Sequence, residues 1–186
     1  MKIKTFFICF LAVCAISLSS CKKENYAAKF VGNYVTTLTP NLQVLMFGEV
    51  VAETTDEDVI EGVTFNISQV GESQDVNMTF TIPEIEESAE LPIEIPNAVI
   101  LNGTCDETGL HLSGYPLSES ISIPELGMDI AINVGLGSAT IAEPVNNVIS
   151  WTSSLIGTIG ITMPDMPEAN MEATIDGGIK FNATKQ

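Results

Sequence analysis

The sequence predicts an all-β protein: an antiparallel up-and-down meander of about eight to ten strands closed into a barrel. Three observations predict it. Apolar and polar residues alternate with a period of two over most of the chain beyond residue 29. Helix-type spacing is nearly absent there. Turn-forming residues punctuate the alternation at intervals that suit a sandwich or barrel.

The predicted strands lie near 30–39, 42–50, 62–70, 75–82, 91–101, 107–114, 117–124, 126–142, 148–163 and 170–182. In the third, Val63, Phe65 and Ile67 oppose Thr64, Asn66 and Ser68. In the fourth, Val76, Met78, Phe80 and Ile82 oppose Asn77, Thr79 and Thr81. Met128, Ile130, Ile132 and Val134 alternate in the same way. Last, Met171, Ala173, Ile175, Ile179 and Phe181 oppose Glu172, Thr174, Asp176, Lys180 and Asn182. Such alternation marks strands buried on one face only. Three segments also end alike: Thr79–Ile85, Ser120–Leu126 and Gly160–Met166 each run from alternating residues into proline, an acid and an apolar residue. Proline cannot donate to a central ladder, so these are strand ends, expected at one rim. The stretch EESAELPIEIP at 86–96 carries four glutamates and two prolines, which blunt an edge.

The first residues are different. Lys2 and Lys4 precede Phe6–Ile16, an unbroken apolar run too short to stay as a membrane span. Leu18-Ser19-Ser20-Cys21 follows and resembles a bacterial lipobox. That resemblance implies a signal peptide over 1–20 that is removed and an acylated Cys21 that anchors the chain to a membrane. It implies a polar tether over 21–29 and a domain over 30–186. An ordinary signal peptide that happens to contain cysteine is the plainer alternative. Lys22-Lys23-Glu24 is similar to the starts of lipoproteins from Bacteroidetes-type bacteria. This implies the outer membrane, on the surface or the periplasmic face.

Charge excludes several function classes. The chain has no arginine, no lysine between Val31 and Ile179, and 24 acids against 7 lysines. Nucleic acid binding needs cationic phosphate contacts and is excluded. Phosphate-transfer sites and carboxylate clamps lack their usual donors. The single His111 alternates with Leu110 and Leu112, which points it outward and leaves no histidine-based triad or zinc cluster. Cys105 is the one mature cysteine apart from Cys21 and is expected to be a small buried apolar residue. The acids Glu53, Asp56, Glu57 and Asp58 lack the alternate spacing of a calcium loop and read as a solvated hairpin tip. No catalytic motif is present; the expectation is a non-enzymatic protein with no cofactor and no metal.

The Phe30–Tyr34 opening resembles that of the calycin superfamily, in which Gly-x-Trp starts an up-and-down barrel. With the lipobox and a glycine-punctuated last strand, the chain resembles calycin-like (lipocalin-like) lipoprotein domains of Bacteroides-type bacteria, a family of unknown function. The resemblance implies a barrel with an apolar interior. Tyr34 stands where the family has tryptophan, and the arginine that covers it there has no counterpart.

Parity puts Tyr34, Phe65, Met78, Phe80, Met128, Trp151, Met163, Met171 and Phe181 on one inner face, with small Ser153, Gly157, Ala173 and Gly177 among them. Two readings of this face stand. Small residues and flexible thioethers open a cavity for a small apolar or lipid-like ligand. Alternatively the same side chains fill the barrel, leaving a solid-core structural or interaction module in a cell-surface assembly. With no cation inside, any lipid-like ligand has a neutral or cationic head, or leaves its head at the mouth.

Overall fold

In the computed structural model, residues 24–55, 57–81, 98–123, 127–163 and 170–186 are described. Cys21, the three prolines of the repeated strand end, Asp56 and the 86–96 stretch lie outside them. Among the described residues, a short helix, α1 (Ala27–Phe30), leads into eleven strands. These are β1 (Gly32–Met46), β2 (Glu49–Glu53), β3 (Ile60–Gln69), β4 (Asp75–Thr81), β5 (Ala98–Asp106) and β6 (Gly109–Leu112). They continue with β7 (Tyr115–Ile123), β8 (Met128–Leu136), β9 (Ala139–Ile141), β10 (Val148–Thr162) and β11 (Met171–Lys185). All pairings are antiparallel, and the order is β7-β8-β10-β11-β1-β3-β4-β5-β6-β9, with β2 beside the upper half of β1.

The fold is an antiparallel meander curled into an open half-barrel. Its two free ends, β7 and β9, belong to one long hairpin. Leu112 opposes Ala139 and Tyr115 opposes Leu136, the same register on either side of a break at 113–114 and 137–138. The break opens the barrel. β6 pairs β5 at Gly103–Asp106, and Ser113 N–H reaches Asn102 O at 2.8 Å. Beyond that bond β7 pairs only β8, so residues 98–101 of β5 keep β4 on one side and no described strand on the other. A barrel was the expectation; among the described strands this seam leaves it open.

Strand limits also differ from the alternation. The predicted strands 30–39 and 42–50 leave a gap at Pro40-Asn41, yet β1 runs through it, with Pro40 opposite Ile179. Around Pro40, β1 changes neighbour: β3 pairs it up to Leu38 and β2 from Gln43. A missing N–H does no harm where no ladder needs it. The predicted 126–142 strand is broken at Gly137, whose N–H donates to Ser154 O at 2.8 Å. The described strand ends β4, β7 and β10 run in the same direction and finish at one end of the sheet, as the repeated motif predicts. We call that end upper.

The expected tether is partly folded. Ala27 and Phe30 are fully buried. Gln74 bonds Glu24 O at 2.8 Å and accepts from Ala27 N–H at 3.2 Å. The stretch Glu24–Lys29 is docked on the lower end because Ala27 and Phe30 supply apolar surface that plugs it.

Candidate functional site

The inner face divides in two along its length. Below, the strands deliver aromatic side chains to one cluster. Tyr34 stacks on Phe65 at 5.0 Å, Phe65 tilts against Phe80 at 4.9 Å, and Trp151 stacks on Phe181 at 4.4 Å. Trp151 meets Phe65 edge-on at 5.9 Å, which joins the two stacks. Offset and edge contacts of this kind add to the area they bury. Met78, Ile67, Leu110, Ile141 and Ile149 close the base. The Tyr34 hydroxyl donates to Phe30 O at 2.7 Å, and burial pushes its pKa up to about 12. Thr36 is buried too and donates to Asn182 O at 3.1 Å. Trp151 Nε1 is the one fully buried side-chain polar atom among the described residues with no partner.

Above this cluster the parity stays apolar but the burial falls. One cross-strand row is Val44, Ile175, Gly157 and Val134; the next is Met46, Ala173, Ile159 and Ile132. Met171, Ile161 and Ile130 form a third. Ala173 is buried; the other apolar side chains are only half-buried. The second row ends at the open seam on Glu119, the partner of Ile132, an exposed carboxylate in the inner-face register of Leu117, Ile121 and Ile123.

The nine residues picked from the sequence therefore fall into two groups. Tyr34, Phe65, Met78, Phe80, Trp151 and Phe181 pack against one another in the lower core, each 8% exposed or less. Met128, Met163 and Met171 are half-buried at the upper end. Two of the small residues have a backbone reason. A Cβ on Gly157 would strike Asn133 O and Val134 Cα; on Gly177, at φ 142, it would strike Asn41 O. They let neighbouring strands approach closely, whatever space lies beside them. Glu119 was missed, although an acid in an apolar register is a readable signal.

The outer face holds a groove of ≈ 720 Å³ over the upper halves of β1, β10 and β11. Leu45, Phe47 and Ile156 provide its apolar surface, and Glu172, Thr174 and Asp176 its polar one. No sequence pattern shows it, because β1 is distant in the chain from β10 and β11.

His111 does point outward. With the proton on Nε2, it donates to Asp106 Oδ1 at 3.0 Å, and Nδ1 accepts from Thr140 at 3.1 Å. The Asp106 carboxyl lies well below the usual range, chiefly because the Thr108 hydroxyl donates to it and then because His111 does. All these bonds are exposed, and they tie the β5–β6 turn to β9. Cys105 is free and buried, its thiol pushed up to about 11 by burial, then by Asp106 and Asp75. Such a thiol is a poor nucleophile. No group of metal-ligating side chains occurs among the described residues, and no described helix is long and apolar enough to cross a membrane.

No protein-family model matches the chain, and no curated protein matches it. Solved structures with a distant likeness include the following two. The monomer form of the M. tuberculosis PknI sensor domain is 12% identical, with 84% of this chain and 86% of that chain covered, at a TM-score of 0.32. A protein of unknown function from Bacteroides ovatus is 9% identical, with 82% of this chain and 47% of that chain covered, at a TM-score of 0.27. The half-barrel assignment rests on the strand pairing alone.

Proposed function

We propose that the chain is a non-enzymatic lipoprotein, anchored to the bacterial outer membrane through acylated Cys21, that holds a small apolar or lipid-like molecule in the upper half of a calycin-like barrel. One observation carries the binding reading. Along the same strands and in the same parity, the inner face passes from a packed aromatic core to apolar rows left half-buried. Apolar side chains aligned on a concave face and short of cover are what an apolar ligand covers. Glu119 at the seam and the lack of any inner cation select against fatty carboxylates. They favour a neutral or cationic head.

The anchor fits this arrangement. Glu24 is held on the lower end, and three residues of chain span at most about 10 Å. An acylated Cys21 would hold the packed end against the membrane and turn the open end outward.

Native mass spectrometry of the gently purified full chain, before and after organic extraction, tests the reading. The expected result is extra mass that extraction removes. An apolar fluorescent probe should then bind the extracted chain, and Val44→Trp, which fills the half-buried rows, should weaken that binding. A chain that carries nothing and binds no probe would sink the proposal. The solid-core alternative would then stand, with any activity on the outer surface.

A further inference from the structure

The outer groove is independent of the inner face, and its chemistry is different. Phe47 and Gly48 are the two turn residues between β1 and β2, where Met46 opposes Glu49. Both have positive φ, 53 and 83. Two-residue hairpin turns of this kind want asparagine, aspartate or glycine at both positions. The chain uses such residues elsewhere: Asn146-Asn147, φ 53 and 64, turn Val145 back onto Val148. At Phe47 a bulky aromatic instead occupies a disfavoured conformation with 83% of its surface in water. Folding gains nothing from that choice. Ile156, 54% exposed, lies across the groove from it.

Glu172, Thr174 and Asp176 project from the same wall at every second residue of β11. Neither carboxylate has an ion-pair partner among the described residues, where the ion pairs are those of Lys29 and His111. The nearest cation along that face is Lys180, four residues beyond Asp176. We infer that this groove docks an extended segment of a partner protein in which lysine or arginine alternates with apolar residues. Glu172 and Asp176, four residues and so about 13 Å apart along β11, match two cations four residues apart on one face of such a segment. Phe47, Leu45 and Ile156 receive its apolar side chains. An anionic membrane surface is the poorer occupant, because Glu49 beside the turn and Glu172 and Asp176 in the groove would be repelled by it.

The test uses the full chain in non-ionic detergent and a fluorescent peptide of alternating lysine and leucine, read by anisotropy. The wild type should bind it, more weakly as salt rises. The pair Glu172→Gln with Asp176→Asn should weaken binding about fivefold or more. Phe47→Asn should weaken it about tenfold while leaving the fold intact. A matched pair far from the groove, Glu57→Gln with Glu72→Gln, should leave it unchanged. That control matters because the chain carries a net charge of −17. Equal loss in the control pair would overturn the inference, since binding would then follow net charge. So would a wild type that ignores the peptide, or one that binds a simple alkylammonium equally well in its place.

Discussion

Cys105 and Tyr34 hold their protons more tightly in the folded chain than in the unfolded one. Burial is the main cause for both; their pKa values rise to about 11 and about 12. Neutral forms are thus the ones the fold accepts. Their stabilising contribution is complete below about pH 9, the ordinary thiol value, and is lost as pH rises through the folded values. Urea midpoints measured across this range should fall from about pH 9 upward, and Cys105→Ala should delay the onset to about pH 10, where tyrosine begins to titrate. An onset that the variant leaves in place would place the titrating group elsewhere. The aromatic cluster gives a second residue-scale expectation. Phe181 stacks on Trp151 and touches Phe80 as well, so Phe181→Ala should cost about 3–5 kcal/mol. Trp151→Phe keeps most of the packing and deletes a buried side-chain N–H that has no partner among the described residues. It should cost clearly less, because an orphan donor already carries its desolvation penalty.

The β1–β2 turn and the β8–β10 contact test how single positions shape whole elements. Phe47→Asn relieves a left-handed residue at a two-residue turn, so thermal unfolding should shift upward by the equivalent of about 1 kcal/mol. Stability and docking would then move in opposite directions at one residue. Gly157→Val should do the reverse. Its side chain would meet the backbone of Asn133 and Val134, which cannot turn aside, and should cost about 1–3 kcal/mol by forcing β8 off β10. Gly160, three residues on, has open space at its Cβ, so Gly160→Ala should be neutral or slightly stabilising. These contrasts show what alternation makes legible and what it hides. Period two identified the strands and their inner faces from Met78 to Phe181, because burial on one face is written into every second residue. It placed the repeated strand ends at one rim. It split β1 at Pro40, since whether proline interrupts a strand depends on a neighbour the sequence does not show. One of its two readings took Gly157 and Gly177 as openings, whereas the backbone of an adjacent strand fills the place of their side chains. The outer groove was illegible because it needs β1, β10 and β11 side by side.

Across the whole molecule, cohesion is graded from one end to the other. The lower half has the aromatic cluster, the α1 plug and neighbours on both sides of β1, β3, β4 and β11. The upper half has half-buried apolar rows and an unpaired seam between β5 and β7. Local opening is easiest where few apolar contacts are lost. Amide hydrogen exchange should therefore be slowest in residues 32–38, 65–69, 76–80 and 179–184. It should be faster in 128–136, 155–162 and 171–175, although these are equally regular strands. The ligand reading sharpens the prediction. A molecule seated on the upper rows would bury Val44, Met46, Ile159 and Ile175 together and slow exchange in that half, with little change below. A molecule bound only in the outer groove would protect the β1–β2 hairpin and β11 and leave β8 untouched, since β8 contributes nothing to that surface. Uniform exchange along the strands would mean that the upper half is as firmly packed as the lower, and the apolar rows would then have no room for a guest.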